Sequence, residues 1–518
     1  MNYKNKIDWS VLSISGGLLV IFVLFSIFNS AFINNLVDVG FDFSVKYFGS
    51  FWQILMLGTF LIALFIAFSQ FGDIKLGNLD KPEMNRFRWI SIIMCTLLAG
   101  GGVFWAAAEP IYHFIAPPPL FTNIEASTKE AIYPALSQSF MHWGFLAWAI
   151  LGTLSSIILM YGHYTKKMPL KPRTLLYPLF GEKIMENSII GTLIDSFSII
   201  AVAAGTIGPI GFLGLQASYG LEVLFDVPNT YLTQSLIVIG LVTVAAISAV
   251  SGIDKGIQIL SRFNIVLTFI LVIAMVFLGP GEFIMNSFLQ SSSFYIQDFL
   301  KMSLFRENSN WLSTWTVFFW GWFIGYGPMM AIFISRISRG RTVRELIIAV
   351  CIICPIVTNF WFTVIGGSGI FFELQTPGCI TNALNSAGMP AAMIAITKQL
   401  PFGFFMASAF LFVTVSFVAT TADSMAYTIS VAITGDDNPK GIIRVFWALV
   451  MGLVAIILLR IGESSINSLQ SFIVITAVPV SIILFPTLYL SLKVVKEMYR
   501  DMNNKEDDKI KNFNKYAS

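Results

Sequence analysis

The sequence has little charge and few of the side chains on which enzymes rely. Of its 518 residues, 12% are charged, three are histidine and four are cysteine, whereas 56% are hydrophobic and the mean hydropathy is +0.76. A chain of this size has too little polar surface to coat a soluble globule. The net charge of +3 is too small to indicate nucleic-acid binding. These absences exclude an enzyme-sized soluble domain and favour a protein of the lipid bilayer.

Spacings that would bind a metal or form an acid/base pair are also missing. The histidines and carboxylates form no group in sequence that is typical of a zinc site or of paired catalytic acids. Cys351 and Cys354 form a CxxC pair inside an apolar run, which we interpret as two buried small hydrophobic residues. We therefore expect no enzyme and no bound cofactor.

Apolar runs that are long enough to cross a bilayer recur along the chain. They predict about twelve spans, at approximately 11–33, 50–71, 89–112, 133–161, 189–220, 231–251, 256–280, 312–335, 344–371, 402–433, 441–461 and 468–492. Basic residues gather after even-numbered spans, for example at Lys75, Lys166 and Arg336. Basic loops face the cytoplasm, so we expect a protein of the inner membrane with both termini in the cytoplasm.

Two segments outside the spans also have a recognisable pattern. Between spans seven and eight, NSFLQSSSFYIQDFLKMSLF places apolar residues at helical spacing, which predicts an amphipathic helix on the membrane surface. The tail after Lys493 mixes both signs of charge, and we expect it to be short and partly helical or disordered.

Small residues interrupt two of the spans. These segments are AGGGVFWAAAEP, from Ala99 to Pro110, and AAGTIGPIGFLG, from Ala203 to Gly214. Glycine weakens a helix, and such a segment is tolerated at membrane depth where backbone lines a cavity or packs closely on a neighbour. Both interpretations stay open: close helix packing, or the broken helices at which transporters bind substrate.

A stripe of aromatic residues follows one face of span eight. Trp315, Phe319, Trp322 and Tyr326 recur at i, i+4, i+7 and i+11, which is one continuous helix face. Tryptophan and tyrosine in mid-span are unusual because each carries a polar atom that needs a partner away from the interface. The stripe therefore indicates function more than core filling.

A second aromatic group lies in span four, in the segment FMHWGFLAWAIL. If Trp143 and Trp148 face the stripe of span eight, the rings form a box. Such a box would hold a quaternary ammonium group by cation–π contacts of roughly 0.5 to 2 kcal/mol each. A primary amine would need a carboxylate, and the sequence shows none on this face.

Four motifs in order resemble the betaine/choline/carnitine transporter family. They are the span-eight aromatic run with RISRGRTVRE (Arg336 to Glu345), the HW and AW pairs of span four, F-W-x-x-x-E-P from Phe104 to Pro110, and ATTADS from Ala419 to Ser424. The resemblance covers nearly the whole chain.

This resemblance implies an all-α integral membrane fold with a leucine-transporter-like inverted repeat, spans 3–7 and 8–12. The expected parts are two extra N-terminal helices (1–88), a first repeat (89–281), a surface helix and linker (282–311), a second repeat (312–494) and a cytoplasmic tail (495–518). It also implies a homotrimer that contacts membrane lipids and no nucleic acid.

The same resemblance implies a set of substrate-binding residues. They are Trp143, Trp148, Trp322, Phe323, Tyr326, Phe104 and Met330. Leu151 replaces a tyrosine of the family, which shrinks the polar rim of the box, so the preferred solute is expected to differ from betaine. The family's glycine motif of span three, which varies with substrate type, is also shifted here.

Ion binding is implied by the resemblance at two places. The first would use the hydroxyls of Thr420 and Thr421 and the carbonyl of Phe417, oxygen ligands that suit sodium, although hydroxyls in spans often bond only to their own helix. The second retains only Thr206. Met330 is similar to the residue of sodium-independent exchangers, whose arginine would fall near Asn264, two residues from Arg262.

Charged residues within and after the spans are interpreted as mainly structural. Glu109 follows the interrupted region of span three and would end it or pair with a backbone amide. Asp195 and Asp423 lie inside spans, where an unpaired carboxylate costs several kcal/mol and must face protein or water. The arginines after Pro328 would anchor the cytoplasmic end on lipid headgroups or on a neighbouring loop.

The resulting hypothesis is a secondary active transporter that imports a quaternary-ammonium or zwitterionic compatible solute, such as glycine betaine, choline or a carnitine-like compound. It would couple to sodium and work by alternating access. A sodium-independent exchanger is the closest alternative. A substrate sensor or channel on the same scaffold is the alternative from another class.

Overall fold

The structure is a computed structural model that describes residues 7–98, 101–186, 188–251, 254–435, 439–460 and 465–517. Within these ranges the regular elements are helices, and the chain pairs as β-structure only at an isolated bridge between Lys75 and Thr342. The all-helical fold predicted from the sequence is confirmed for the described residues.

Fifteen helices of the described residues are used below, and several contain internal breaks or wide turns. They are α1 (Trp9–Phe28), α2 (Ser30–Phe68), α3 (Arg86–Leu98), α4 (Gly102–Ile115), α5 (Lys129–Thr165), α6 (Ile189–Phe225), α7 (Tyr231–Ser251), α8 (Asp254–Leu278), α9 (Gly281–Gln297), α10 (Ser309–Ile337), α11 (Val343–Gln375), α12 (Gly403–Thr434), α13 (Gly441–Arg460), α14 (Ser465–Leu484) and α15 (Thr487–Ala517).

Ten helices of the described chain are long and apolar enough to cross a membrane. The pair Arg262–Leu278 and Gly281–Gln297, bent by 104°, would supply an eleventh. The predicted third span corresponds to α3 and α4, and neither half alone reaches a spanning length. The count is therefore close to the expected twelve and differs where that span is interrupted.

The second helix is longer than the hydropathy pattern predicted. Asn29 ends α1 and caps α2, because its side-chain oxygen accepts a hydrogen bond from the backbone N–H of Phe32. α2 then runs 39 residues through a segment predicted as a loop. Asp38 and Asp42 lower the hydropathy of that segment but are exposed, so they do not interrupt the helix.

A central group of helices carries the core. α10 packs against α5, α6 and α14, and α6 packs against α12 and α14. The peripheral helices expose large apolar side chains, such as Phe65 on α2, Leu232 on α7 and Phe269 on α8. An apolar exterior around a core that contains polar groups is the arrangement expected of a protein in a bilayer.

The small-residue segment of span five packs closely and does not break. α6 is continuous through Pro209, and a Cβ on Gly208 or Gly211 would lie 2.5 Å from Ile473 or Leu469 of α14. Of the two open interpretations, close helix packing is correct for this segment, and the broken helix is wrong.

The corresponding segment of span three does interrupt the helix. α3 ends at Leu98 and α4 begins at Gly102, whereas Pro110 lies inside α4. Residues 99 and 100 lie outside the described residues. Among the described residues the interruption falls at Gly101, whose φ is 163°, and not at the proline.

The segment predicted as an amphipathic helix is helical in α9, and its position on the membrane surface stays a prediction. Its buried residues Ile284, Ser287, Ser291 and Tyr295 follow one helix face, and that face packs on α5. The start of the tail is helical in α15, where Glu497 pairs with Lys166 at 3.0 Å. Cys351 and Cys354 are buried and free, as predicted.

The arginine cluster after α10 binds a neighbouring loop. Arg344 pairs with Asp73 and Arg339 pairs with Glu83 at 2.9 Å, while the guanidinium of Arg341 lies 4.7 Å from the ring centre of Trp89. These contacts join the start of α11 to residues 69–89. Of the two predicted partners, the loop is the one that the structure shows.

Two of the intramembrane carboxylates are paired with arginine. Asp195 accepts from the Nε of Arg173 at 2.6 Å, and Asp423 accepts from Arg444 at 3.0 Å. Both pairs are buried. The interpretation of these two acids as facing protein is confirmed.

Gly366 of α11 offers a test of the packing between α4 and α11. A Cβ there would lie 2.4 Å from Cγ of Pro110 and 2.7 Å from the carbonyl oxygen of Ala106. We expect Gly366→Ala to lower the melting temperature of the purified protein by several degrees, since overpacking of a core costs about 1–3 kcal/mol. Gly240→Ala is the control, because nothing lies within 4 Å of its added Cβ. Equal melting temperatures for the two variants would contradict the described packing.

Candidate substrate-binding site

Three aromatic rings from two helices meet in the core. The Trp143 ring of α5 lies 5.8 Å from that of Trp322 and 5.2 Å from that of Phe323, with interplanar angles of 80° and 82°. Trp322 and Phe323 of α10 are parallel to each other, at 8° and 6.0 Å. All three are buried. Two aromatic walls at right angles result, one from each predicted helix.

A break in α5 decides which side chains of span four reach this site. Gly144 has φ −94° and ψ −130°, and a Cβ on it would lie 2.3 Å from the carbonyl oxygen of Phe140. The break ends one helical segment at Trp143 and begins another at Phe145. Residues on either side of it are therefore not on one continuous face.

Trp148 lies beyond this break and contacts a different helix. Its Nε1 donates to the hydroxyl of Thr358 in α11, at 3.1 Å. Within the described chain it makes no ring pair with the other predicted box residues. It is buried, but the structure does not bring its ring against Trp143 or Trp322. Its role in substrate binding stays a prediction.

The polar atoms of the α10 rings are bonded by α6. Trp322 Nε1 donates to the carbonyl oxygen of Gly205 at 3.0 Å, and the Tyr326 hydroxyl lies 3.0 Å from that of Thr206. A Cβ on Gly205 would lie 2.2 Å from Cε2 of Tyr326 and 3.2 Å from Cδ1 of Trp322. A glycine is therefore required at this position, because a larger side chain would displace both rings.

The interruption of span three supplies a second glycine that lies directly against Trp322. A Cβ on Gly101 would lie 2.4 Å from Cη2 of Trp322. The indole of Trp322 is thus held between Gly101 and Gly205, one from each of the two small-residue segments. Both segments meet at the aromatic site.

The remaining predicted substrate residues lie close to this group. Phe104 stacks on Phe212 at 5.4 Å, and Phe212 lies 6.2 Å from Trp322, so Phe104 is one ring removed from the box. Met330 is buried in α10, four residues after Tyr326. Their contact with substrate stays a prediction.

Glu109 is a neighbour of the box that the sequence pattern did not indicate. Its Oε2 accepts a hydrogen bond from Trp143 Nε1 at 2.9 Å, and its Oε1 lies 2.6 Å from His142 Nδ1. The His113 Nε2 atom lies 3.3 Å from Oε1. All three titratable side chains are buried. The only sequence signal was the E-P and HW motifs, whose partners are 33 residues apart.

The structure therefore groups histidine and carboxylate side chains that no spacing in the sequence brings together. One ligand atom from each of Glu109, His113 and His142 lies within 4.8 Å of the others, which makes them the His/Glu group of the described residues that could hold a metal. The spacing of these residues in the sequence does not show the group, because Glu109 and His142 lie on different helices, α4 and α5.

The residues predicted to bind ions are placed in α6 and α12. Thr420 Oγ1 donates to the carbonyl oxygen of Phe417 at 2.9 Å, and Thr421 is buried beside it. This bond within one helix is the alternative that the sequence left open. Thr206 donates to the Val202 carbonyl at 2.8 Å and also contacts Tyr326, so its hydroxyl is engaged at the aromatic site.

The position near Asn264 holds no arginine in the described residues. Asn264 is buried, and its Oδ1 accepts from Ser416 Oγ at 2.7 Å. Arg262 is exposed.

An aromatic site of this kind favours a diffuse cation. Ring faces attract quaternary ammonium through their quadrupoles, and they do so without a hydrogen-bond acceptor. Membrane-length helices around such a buried site define a membrane protein that binds or moves a small cationic solute. The chain belongs to the betaine/carnitine/choline transporter family (BCCT), whose family model matches residues 10–500. The predicted family is confirmed.

Curated relatives agree with this membership. The chain is 53% identical over 501 residues to glycine betaine transporter 2 of Vibrio parahaemolyticus, covering 97% of this chain and 92% of the relative. It is 32% identical to the high-affinity choline transport protein of Escherichia coli K12 (96% and 73% covered) and 30% identical to the ectoine/hydroxyectoine transporter of Virgibacillus pantothenticus (86% and 88%). The family and these relatives are transporters and not enzymes.

The close contact of Gly205 with Tyr326 and Trp322 generates a prediction about binding. We expect Gly205→Ala to weaken binding of tetramethylammonium at least tenfold, because the added Cβ displaces Tyr326 and Trp322. Quenching of intrinsic tryptophan fluorescence measures the affinity. Gly325→Ala on α10 is the control, since its nearest atom lies at an ordinary 3.5 Å, and we expect at most a twofold change. Unchanged affinity in Gly205→Ala would show that the contact of Gly205 with the two rings does not shape the site.

Proposed function

We propose that this protein is a secondary active transporter that imports a quaternary-ammonium compatible solute across the cell inner membrane. The observation that carries the proposal is the perpendicular arrangement of Trp143 against Trp322 and Phe323, three buried rings from two helices. Ring faces attract such a cation through their quadrupoles and need no hydrogen-bond acceptor to do so.

Glycine betaine is the first candidate solute, and choline is the second. The 53% identical relative is named a glycine betaine transporter, and a 32% identical relative is named a choline transport protein. Both solutes carry the trimethylammonium head that an aromatic box accepts. The rest of the molecule would extend toward Phe104 and Met330, the other predicted contacts.

Alternating access is the proposed mechanism. The three rings touch one another in this structure, so a guest between them requires that α5 and α10 separate. Wide helical turns at Ser313–Val317 of α10 and at Ala349–Ile353 and Thr363–Gly367 of α11 are positions at which such helices can bend. The leucine-transporter-like inverted repeat predicted for this family would relate the two moving halves.

Sodium is the proposed coupling ion, with no other cofactor. The carbonyl of Phe417 and the hydroxyls of Thr420 and Thr421 are oxygen ligands on one buried stretch of α12. The exposed position of Arg262 disfavours the exchanger alternative, in which an arginine takes the place of an ion. Met330 is the one residue that still favours that alternative.

Both termini are proposed to lie in the cytoplasm, with the chain assembled as a homotrimer. The contacts of Arg344 with Asp73, and of Lys166 with Glu497, gather three basic loops and the tail helix at one end of the molecule. Positive charge marks the cytoplasmic end of a membrane protein. The trimer is an expectation from the family.

Substitution of the box tests the substrate. We expect Trp322→Leu to reduce uptake of labelled glycine betaine into proteoliposomes at least tenfold, because the leucine lacks a ring face and the bond to Gly205. Trp9→Leu is the control, since Trp9 is 66% exposed and far along the chain from the site. Normal uptake by Trp322→Leu would refute the placement of the box.

Replacement of sodium by potassium tests the coupling. We expect uptake to stop without a sodium gradient, and Thr420→Val to raise the sodium concentration for half-maximal uptake about tenfold, because a hydroxyl ligand is lost. Thr428→Val is the control, as that hydroxyl donates to Ser424 elsewhere on α12. Full uptake in potassium alone would establish the exchanger instead.

A further inference from the structure

Glu109 places a carboxylate at the edge of the aromatic box. The residue is fully buried on α4, and its Oε2 accepts from Trp143 Nε1 at 2.9 Å. The N–H of an indole lies in the plane of its rings, so the carboxylate sits at the edge of Trp143. The rings of Trp322 and Phe323 lie 5.8 Å and 5.2 Å from that of Trp143 and are nearly perpendicular to it.

The hydrogen bonds around Glu109 fit an ionised carboxylate. Trp143 Nε1 can only donate. His142 Nε2 lies 3.1 Å from the amide nitrogen of Gln138 and 3.0 Å from the hydroxyl of Thr316, two groups that can donate to it. With Nε2 as the acceptor, the ring proton is on Nδ1, which donates to Glu109 Oε1 at 2.6 Å. In this arrangement each carboxylate oxygen accepts a hydrogen bond, as in the charged form.

The described residues provide little positive charge to balance this carboxylate. Within 4 Å, its basic neighbours in the described chain are His113 and His142. His142 is neutral by the argument above. His113 Nε2 lies 3.3 Å away and has no hydrogen bond, which indicates the neutral ring as well. Asp195 and Asp423, by contrast, each pair with an arginine.

We propose that Glu109 is the fixed counter-charge for the cationic head of the substrate and acts on it through Trp143. A negative charge on the indole N–H raises the electron density of the ring and so strengthens its attraction for a cation. The charge also acts directly through a medium of low dielectric constant. Glu109 is thus a positioning residue, and the substrate supplies the positive charge that the site lacks.

Two consequences for specificity follow. The site prefers a permanently charged head to an uncharged head of the same shape, although ring faces alone would discriminate less. A zwitterion is oriented with its ammonium end at Trp143 and its own carboxylate turned away from Glu109. This inference rests on the proposed function, because it assigns the charge at that same site.

The test compares a cation with its uncharged isostere. Choline and 3,3-dimethyl-1-butanol differ by a nitrogen replaced with carbon, so their affinity ratio reports charge at constant shape. We expect Glu109→Gln, which keeps the volume and an acceptor for Trp143, to weaken choline binding at least tenfold, equivalent to about 1.4 kcal/mol. Binding of the isostere should change no more than twofold.

Glu109→Asp and Glu373→Gln are the matched controls. The aspartate keeps the charge, so the ratio of the two affinities should stay near that of the wild type even if both affinities fall. Glu373 is outside the box and accepts hydrogen bonds from the backbone of Gly378 and Ile380, so its neutral variant should leave the ratio unchanged. Melting temperatures establish that each variant is folded.

Each outcome separates this inference from the proposed function. If wild-type protein binds neither choline nor glycine betaine, the proposed function fails. If it binds choline and Glu109→Gln binds choline equally well, only the counter-charge fails. If Glu109→Gln weakens both ligands by the same factor, Glu109 merely holds Trp143 in place and the inference is overturned.

Discussion

The aromatic site depends on the hydrogen bonds that the polar atoms of Trp143, Trp322 and Tyr326 make with neighbouring helices. In a medium without water, an unbonded indole N–H or phenol O–H carries an energetic penalty. Trp322 meets this need at the Gly205 carbonyl and Tyr326 at the Thr206 hydroxyl, both on α6. Trp143 meets it at Glu109 on α4. These bonds fix where each ring stands and leave the ring faces for a cation.

The same bonds explain why small residues occupy the surrounding helices. Backbone carbonyls accept from a tryptophan only if its ring can approach closely, and a Cβ at Gly205 or Gly101 would overlap that ring. Under the proposed alternating access, the helices that carry these rings separate to admit a solute, and glycine at these points leaves no side chain between them.

The buried carboxylates of the core differ in whether an arginine pairs with them. Arg173 with Asp195 and Arg444 with Asp423 are complete pairs that hold helices and loops together. Glu109 differs, since its neighbours are neutral donors. In a protein that moves cations, a carboxylate without a cationic side chain as partner can attract the substrate. The pairing pattern therefore separates the structural carboxylates from the one next to the box.

Hydropathy and periodicity determined the class of protein, most of the helices, and the face that joins Trp322 to Tyr326, because these properties depend on residues within one helix. Tertiary structure decided the rest. The break at Gly144 sends Trp148 toward α11, Asp38 and Asp42 lie on the exposed side of an unbroken α2, and α6 stays continuous through its glycines. Glu109 meets His142 and Trp143 only because α4 and α5 pack together. Distances between helices depend on packing over the whole bundle, and no local pattern records them.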